Sequence, residues 1–230
     1  MNNFNFNTFI EPYKEALIKS GETRLNYYEY VLNKLYSLNK PIIVIETGTM
    51  WNGLEDNQGA FTLVFANFIK NYTGGKLITI DISEEHMNNC KQFTQEYSDV
   101  IEYVVSDSVS YLESLSNDFV KNIDFIFFDS YDLNLVDPLP SEIHHLRELL
   151  AVYYKLSNNV LLAVDDNLMP GYWIEWLMVD ENKNILSKTI VTAENEIIGK
   201  GTLIDRFLRD NGWKRLNDNL ASCLLGYEKN

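Results

Sequence analysis

"PIIVIETGT", residues 41–49, decides how the chain is to be read. Pro41 opens it, four β-branched residues follow, and Gly48 ends it. A short apolar run without alternation suits a parallel strand covered on both faces. A glycine at its exit suits a sharp turn. Beyond a polar loop, Phe61, Val64, Phe65, Phe68 and Ile69 recur at helical spacing, which predicts an amphipathic helix. "NYTGG" (71–75) ends it, and Gly74 or Gly75 can take the left-handed cap.

The same cycle then repeats. "KLITID" (76–81) predicts a strand, and Ser83 a cap for a helix to about Tyr97. "IEYVVSD" (101–107) is a strand and "SVSYLESL" (108–115) a short helix. "IDFIFFD" (123–129) is a strand, followed by a helix from Glu142 to Leu156 capped by Ser141. "NVLLAVD" (159–165) is the fifth strand. Such alternation predicts an α/β fold with a doubly wound, mostly parallel sheet and helices on both faces.

Upstream, residues 12–38 read as helical, with Leu25, Tyr28, Leu32 and Leu35 on one stripe. Downstream, "GTLIDRFLRDNGW" (201–213) is a further helix. "WKRL" (213–216) and "SCLLGYE" (222–228) predict a C-terminal antiparallel hairpin turning near Asn217–Asn219, which makes a seven-stranded sheet. Residues 172–200 are the least legible, with "WIEWLMV" (173–179) and "NILSKTIV" (184–191) as strands around a turn at Glu181–Asn184. With no repeat or linker, 1–230 reads as one domain: a helical cap (1–40), a ligand-binding core (41–171) and a sheet-completing part (172–230).

The formal net charge of −14 disfavours a nucleic-acid partner, which needs Lys and Arg against phosphates. No apolar stretch approaches the roughly 20 residues of a membrane span, and the opening residues lack a basic segment followed by an apolar block. Cys90 and Cys223 stand in no metal or redox spacing and are expected to be reduced. A cytoplasmic protein is the expectation, acting on a small molecule or glycan, without nucleic acid or membrane, and with a homodimer left open.

Ligands of open α/β sheets bind outside the carboxyl ends of the strands, and every strand here exits into an acid. The first ends in Glu46-Thr47-Gly48, the next three at Asp81, Asp107 and Asp129, and the fifth at Asp165-Asp166. One such acid is an ordinary helix cap; five on one rim suggest a site. Asp81 is placed to accept from ribose hydroxyls. The first loop, "ETGTMWNGLEDNQGAFT" (46–62), lacks the G-x-G-x-x-G spacing a dinucleotide needs, and Glu55 and Asp56 would repel a pyrophosphate. A cationic ligand suits it better.

The order of these segments resembles the class I S-adenosylmethionine-dependent methyltransferases. "VIETGT" (44–49) looks like their first motif, "ITIDIS" (78–83) the second, "VVSDSVSYL" (104–112) the third and "IDFIFFDSYD" (123–132) the fourth. The resemblance covers about residues 41–171 and implies a Rossmann-like fold binding S-adenosylmethionine. It implies that Glu46, Thr47, Gly48 and Thr49 line the methionine part. Gly59 would bring N–H groups to its carboxylate, Asp81 and Ile82 would hold the ribose, and Ser106, Asp107 and Ser108 would flank the adenine, with Asp129 beside the cofactor. Tyr131 could touch the adenine. The departure is the long stretch between Gly48 and Gly59.

Asp129 leaves the fourth strand, and Asp166 and Asn167 leave the fifth. All-oxygen donors suit a hard cation such as Mg2+. The trio resembles the metal triad of the catechol O-methyltransferase-like and caffeoyl-CoA-like branch, with Pro170-Gly171 following. Asp165 is an extra acid that faces inward, caps the loop or replaces Asp166 as ligand. That resemblance implies O-methylation of a hydroxyl whose pKa the cation lowers. The branch carries a lysine three residues past the fourth-strand acid; this chain has Asp132. His144 and His145, after "PLPSE" (138–142), are the replacement candidates for a base. His86 reads as structural. Trp51, Tyr172, Trp173 and Trp176 either stack on an acceptor or fill core. A nucleotide-sugar or NAD-dependent enzyme, or a degenerate S-adenosylmethionine-binding protein, are the alternatives.

Overall fold

Five parallel strands carry the centre of the molecule: β1 (Ile42–Thr47), β2 (Gly75–Asp81), β3 (Ile101–Val105), β4 (Phe125–Phe128) and β5 (Leu161–Val164). The structure is a computed structural model and describes residues 3–19, 24–54, 60–179, 184–216 and 223–229. β11 (Leu225–Lys229) joins β5 antiparallel, and β10 (Trp213–Arg215) joins β11 antiparallel. The spatial order is β10-β11-β5-β4-β1-β2-β3. The direction of winding therefore reverses between β1 and β4, and a crevice opens there at the carboxyl ends.

The two-residue period of a strand divides the core. Phe125 and Phe127 enter one layer with Phe61, Phe65 and Leu32. Ile126 and Phe128 enter the other with Ile45, Leu149 and Leu162. The first layer is closed by α3 (Arg24–Ser37) and α4 (Phe61–Phe68), the second by α6 (Ser108–Ser114), α7 (Asn117–Val120), α8 (Leu139–Tyr153) and α9 (Thr202–Asp210). β4 and β5 are buried at every position, which accounts for their unbroken apolar runs. The fold class is that expected from the sequence, with the C-terminal antiparallel strands in place.

Several elements differ from expectation. The helix expected over 12–38 is preceded by α1 (Phe6–Ile10) and begins in a 3-10 turn (Glu11–Tyr13) holding Pro12; α2 (Lys14–Lys19) and α3 are its described helical parts. α8 begins at Leu139 and ends at Tyr153, because Pro138 and Pro140 suit a first turn. Ser141 is thus no cap; its hydroxyl donates to the Tyr131 carbonyl at 3.1 Å. α5 (Glu84–Phe93), capped by Ser83 as expected, stops before Tyr97.

β6 (Asn167–Leu168) pairs with β9 (Ile198–Gly199), and β7 (Trp173–Val179) with β8 (Ile185–Thr192), both antiparallel. The aromatic residues at the latter hairpin are not core: Tyr172 and Trp173 are exposed, Trp173 by 65 %, and Trp176 is half-buried. Most of the hairpin's expected turn at Glu181–Asn184 and the whole turn at Asn217–Asn219 lie outside the described residues. Cys90 and Cys223 are not joined in a disulfide. No helix among the described residues is long and apolar enough to cross a membrane.

Candidate functional site

Gly48 sets the floor of the crevice. It has φ +80°, and a Cβ there would lie 2.3 Å from the Asp129 carbonyl oxygen, so only glycine lets β1 turn this close to β4. The Asp129 N–H donates to the Thr47 carbonyl at 2.9 Å. The two strand ends are thereby locked, and Asp129 is delivered to the rim beside Gly48.

Above this floor lies a cavity of about 530 Å3. Glu46, Gly48, Thr49, Asp81, Ile82 and Asp129 line it, together with Asp165 and Asp166. A second cavity of about 270 Å3 adjoins it. Ser106, Asp107 and Ser108 line that one with Tyr131 and His144, and Gly48, Asp81 and Ile82 border both. Thr47 is fully buried and lines neither. Gly59, Glu55 and Asp56 lie outside the described residues.

Asp81 partly organises its own surroundings. Its carboxylate accepts from the Ser83 N–H at 2.7 Å and the Thr49 N–H at 3.2 Å. Asp107 caps α6 by accepting from Ser110 N–H at 2.8 Å, and that bond holds its carboxyl below the usual range. Trp51 stacks on His86 with ring centroids 4.7 Å apart, and both line the larger cavity, so His86 is part of a wall. Glu46 is buried, and burial pushes its carboxyl up to about 8 even though Thr79 and Thr62 donate to it at 2.7–2.9 Å. It is therefore mostly neutral at pH 7.

The expected metal set is not assembled. Lys200 brings its ammonium between Asp129 and Asp166, with Nζ 2.5 Å from Asp129 Oδ1 and 2.9 Å from Asp166 Oδ2. Asn167 turns away from the rim. Its amide donates to the carbonyls of Val164, Asp165 and Cys223, and its oxygen accepts from the Gly201 N–H at 2.7 Å. The residues present do not fit a divalent cation, since a lysine already pairs with two of the three ligands and the third is spent on backbone. No group of three His, Cys, Asp or Glu suited to a metal occurs among the described residues. Burial works against the Lys200 charge, but Asp129 and Asp166 outweigh it and hold its pKa above that of a free lysine. Burial raises the Asp129 carboxyl, with Lys200 opposing.

Asp165 faces inward. Its two oxygens accept from Arg24 Nη1 and Nη2 at 2.7 Å each, and both side chains are almost wholly buried. This ties the start of α3 to the end of β5.

The histidines separate. His145 is fully buried and lines neither cavity, which removes it as a base. Its Nδ1–H donates to the Ser141 carbonyl at 2.7 Å, and burial lowers its pKa to about 4. His144 lines the smaller cavity, 3.1 Å from the Ser108 hydroxyl and 3.5 Å from Glu148. That places it in the cavity that Lys200 does not line. Arg24, Lys200 and Glu148 went unseen in the sequence. Of these only Lys200 had a signal, the flanking glycines of "GKG" (199–201).

Residues 56–167, just under half of the chain, match the family model described as a methyltransferase domain. No curated protein matches the sequence significantly. Among solved structures, a protein from Corynebacterium glutamicum is similar at 15 % identity and TM-score 0.52, covering 97 % of this chain and 94 % of that one. A Streptococcus mutans protein assigned as a methyltransferase, in complex with SAH, is similar at 12 % identity and TM-score 0.51, covering 88 % and 97 %. A precorrin-6y C5,15-methyltransferase from Geobacter metallireducens is similar at 11 % identity and TM-score 0.50, covering 90 % and 89 %. At such identities the likeness is one of fold.

Proposed function

We propose that this chain, which matches a methyltransferase domain over residues 56–167, moves the methyl group of S-adenosylmethionine to a hydroxyl of a small polyhydroxylated molecule or glycan. The carrying observation is that Asp81, at the end of β2, and Asp129, after β4, line one cavity, which supports a ribose held by the first. The Streptococcus mutans protein of like fold holds SAH, the demethylated cofactor, which supports a sulfonium nucleoside as the ligand. The smaller cavity beside Ile82, Asp107 and Ser108 suits the adenine. Trp51, stacked on His86, walls the cavity on the side of Asp81, where the ribose would lie.

The far end of the cavity presents Asp129, Asp132, Asp165 and Asp166 with Arg24 and Lys200. Such a wall offers hydrogen bonds to several hydroxyls and little to an apolar ring. In the transfer, an acceptor oxygen attacks the sulfonium methyl in line. The O–C bond forms as the C–S bond breaks, leaving S-adenosylhomocysteine and a methyl ether. The hydroxyl proton passes to Asp129, which burial has made a better base than a free carboxylate. The chain's own contribution is alignment and exclusion of water, which supply much of the rate in well-aligned cases.

Calorimetric titration with S-adenosylhomocysteine and with NAD, followed by methyl transfer from labelled cofactor to a panel of sugars, diols and amines, tests this. Binding of the homocysteine form and turnover on hydroxyls are expected. Binding of NAD alone would remove the cofactor assignment. Turnover on amines only would move the acceptor to nitrogen, and cofactor binding without any turnover would leave a non-catalytic binder.

A further inference from the structure

The segment "IGKGT" (198–202) is built to deliver one side chain to the rim. β9 pairs with β6, so the strand carrying Gly199 lies against the one that follows Asp166. Gly199 has φ +146°, and a Cβ there would lie 2.2 Å from the Asp166 carbonyl oxygen. A Cβ at Gly201 would lie 2.8 Å from Asn167 Oδ1 and 2.5 Å from a Leu225 methyl. The Gly201 N–H donates to Asn167, and Thr202 Oγ1 accepts from the Gly199 N–H at 3.0 Å. Glycines on both flanks are thus what lets Lys200 approach so closely. Lys200 is 3 % exposed, yet it lines the larger cavity.

An ammonium has three donors. Asp129 and Asp166 take two, and the described residues offer no side-chain acceptor for the third. A ligand oxygen in the cavity can take it. We infer that Lys200 is a fixed cation standing in for a divalent metal at the acceptor end of the crevice, and that it positions the acceptor hydroxyl and stabilises the negative charge that grows on its oxygen. The second half of this rests on the methyl-transfer reading; the first half does not. A preorganised donor aimed at developing charge acts with no reorganisation during the reaction. It also makes the site indifferent to metal supply, since a divalent ion would have to displace a tethered charge from both carboxylates.

The test begins with Mn2+ titrations followed by electron paramagnetic resonance on the full chain, using wild type, Lys200→Ala and Lys200→Arg. Free-ion signal should persist with wild type and Lys200→Arg. Lys200→Ala uncovers Asp129 and Asp166 and should take up Mn2+. Stoichiometric Mn2+ binding by wild type would overturn the inference, as would a folded Lys200→Ala that binds none. Folding of that variant is read from its circular dichroism spectrum and a cooperative melt, independently of any ligand. If it does not fold, Lys200→Met keeps the aliphatic stem and replaces it in the kinetic arm.

In that arm, wild-type turnover should be unchanged by EDTA. Removing the cation should lower kcat by at least ~100-fold with little change in the cofactor's KM. Added Mg2+ should return part of the loss to Lys200→Ala, which a merely structural lysine would not allow. EDTA-sensitive wild-type turnover, or unchanged kcat in Lys200→Met, would refute the proposal. Absence of cofactor binding in wild type sinks the methyl-transfer reading instead and leaves the Mn2+ result standing.

Discussion

Arg24→Ala removes one half of a buried, bidentate ion pair. Asp165 would keep the Asp166 N–H at 2.7 Å and lose both guanidinium bonds, while still lying close to Asp129 and Asp166. An exposed pair of this type contributes about 0–1 kcal/mol. Breaking a buried one leaves an uncompensated charge and costs about 3–5 kcal/mol. For a chain of this size each kcal/mol moves Tm by about 2–4 °C, so Arg24→Ala should lower it by roughly 6–20 °C. Arg24→Ala/Asp165→Asn removes the stranded charge as well and should recover most of that loss, because the penalty lies in the unpaired carboxylate rather than in lost attraction. Calorimetric melting of the three proteins at one pH and salt concentration measures this. A fall no larger than that of a surface pair, or a double variant as unstable as the single one, would refute the reasoning.

Glu46→Gln should flatten the pH dependence of stability. The folded carboxyl sits at about 8 against an ordinary value near 4.5. Its contribution is therefore fully present below 4.5 and lost as pH rises through 8, an effect on the order of a few kcal/mol. Melting of wild type and variant between pH 5 and pH 9 checks the sign, and a variant that loses stability as steeply as wild type would contradict it. Asp81→Ala should weaken S-adenosylhomocysteine binding by at least ~10-fold, the equivalent of one or two charge-assisted hydrogen bonds; unchanged affinity by calorimetry removes the ribose assignment. Gly48→Ala drives a Cβ into the Asp129 carbonyl and should lower both Tm and cofactor affinity, whereas a variant with wild-type binding would mean that the β1 turn tolerates a side chain.

What the residues announce on their own is the sheet. β4 and β5 are buried at every position, so each must be apolar throughout, and an unbroken run such as "FIFF" or "LLAV" is visible without coordinates. Gly48 is visible for a similar reason, since its need for a positive φ is local. The order of strand-end acids located the rim, and Asp81 and Asp129 do face one cavity. Identical acids could not be told apart by type. Asp165 and Asp166 are neighbours, yet one is sealed against Arg24 and the other, with φ +53°, turns outward to Lys200. Asn167 has the donor atoms of a metal ligand but spends them on backbone, because β6 and β9 pair across it. Its orientation, and that of His145, depends on what packs alongside. Arg24 lies 141 positions from Asp165, and Lys200 lies 71 from Asp129. No local period links such partners, and charge meets charge there only after the chain has closed the sheet and brought its far segments to one edge.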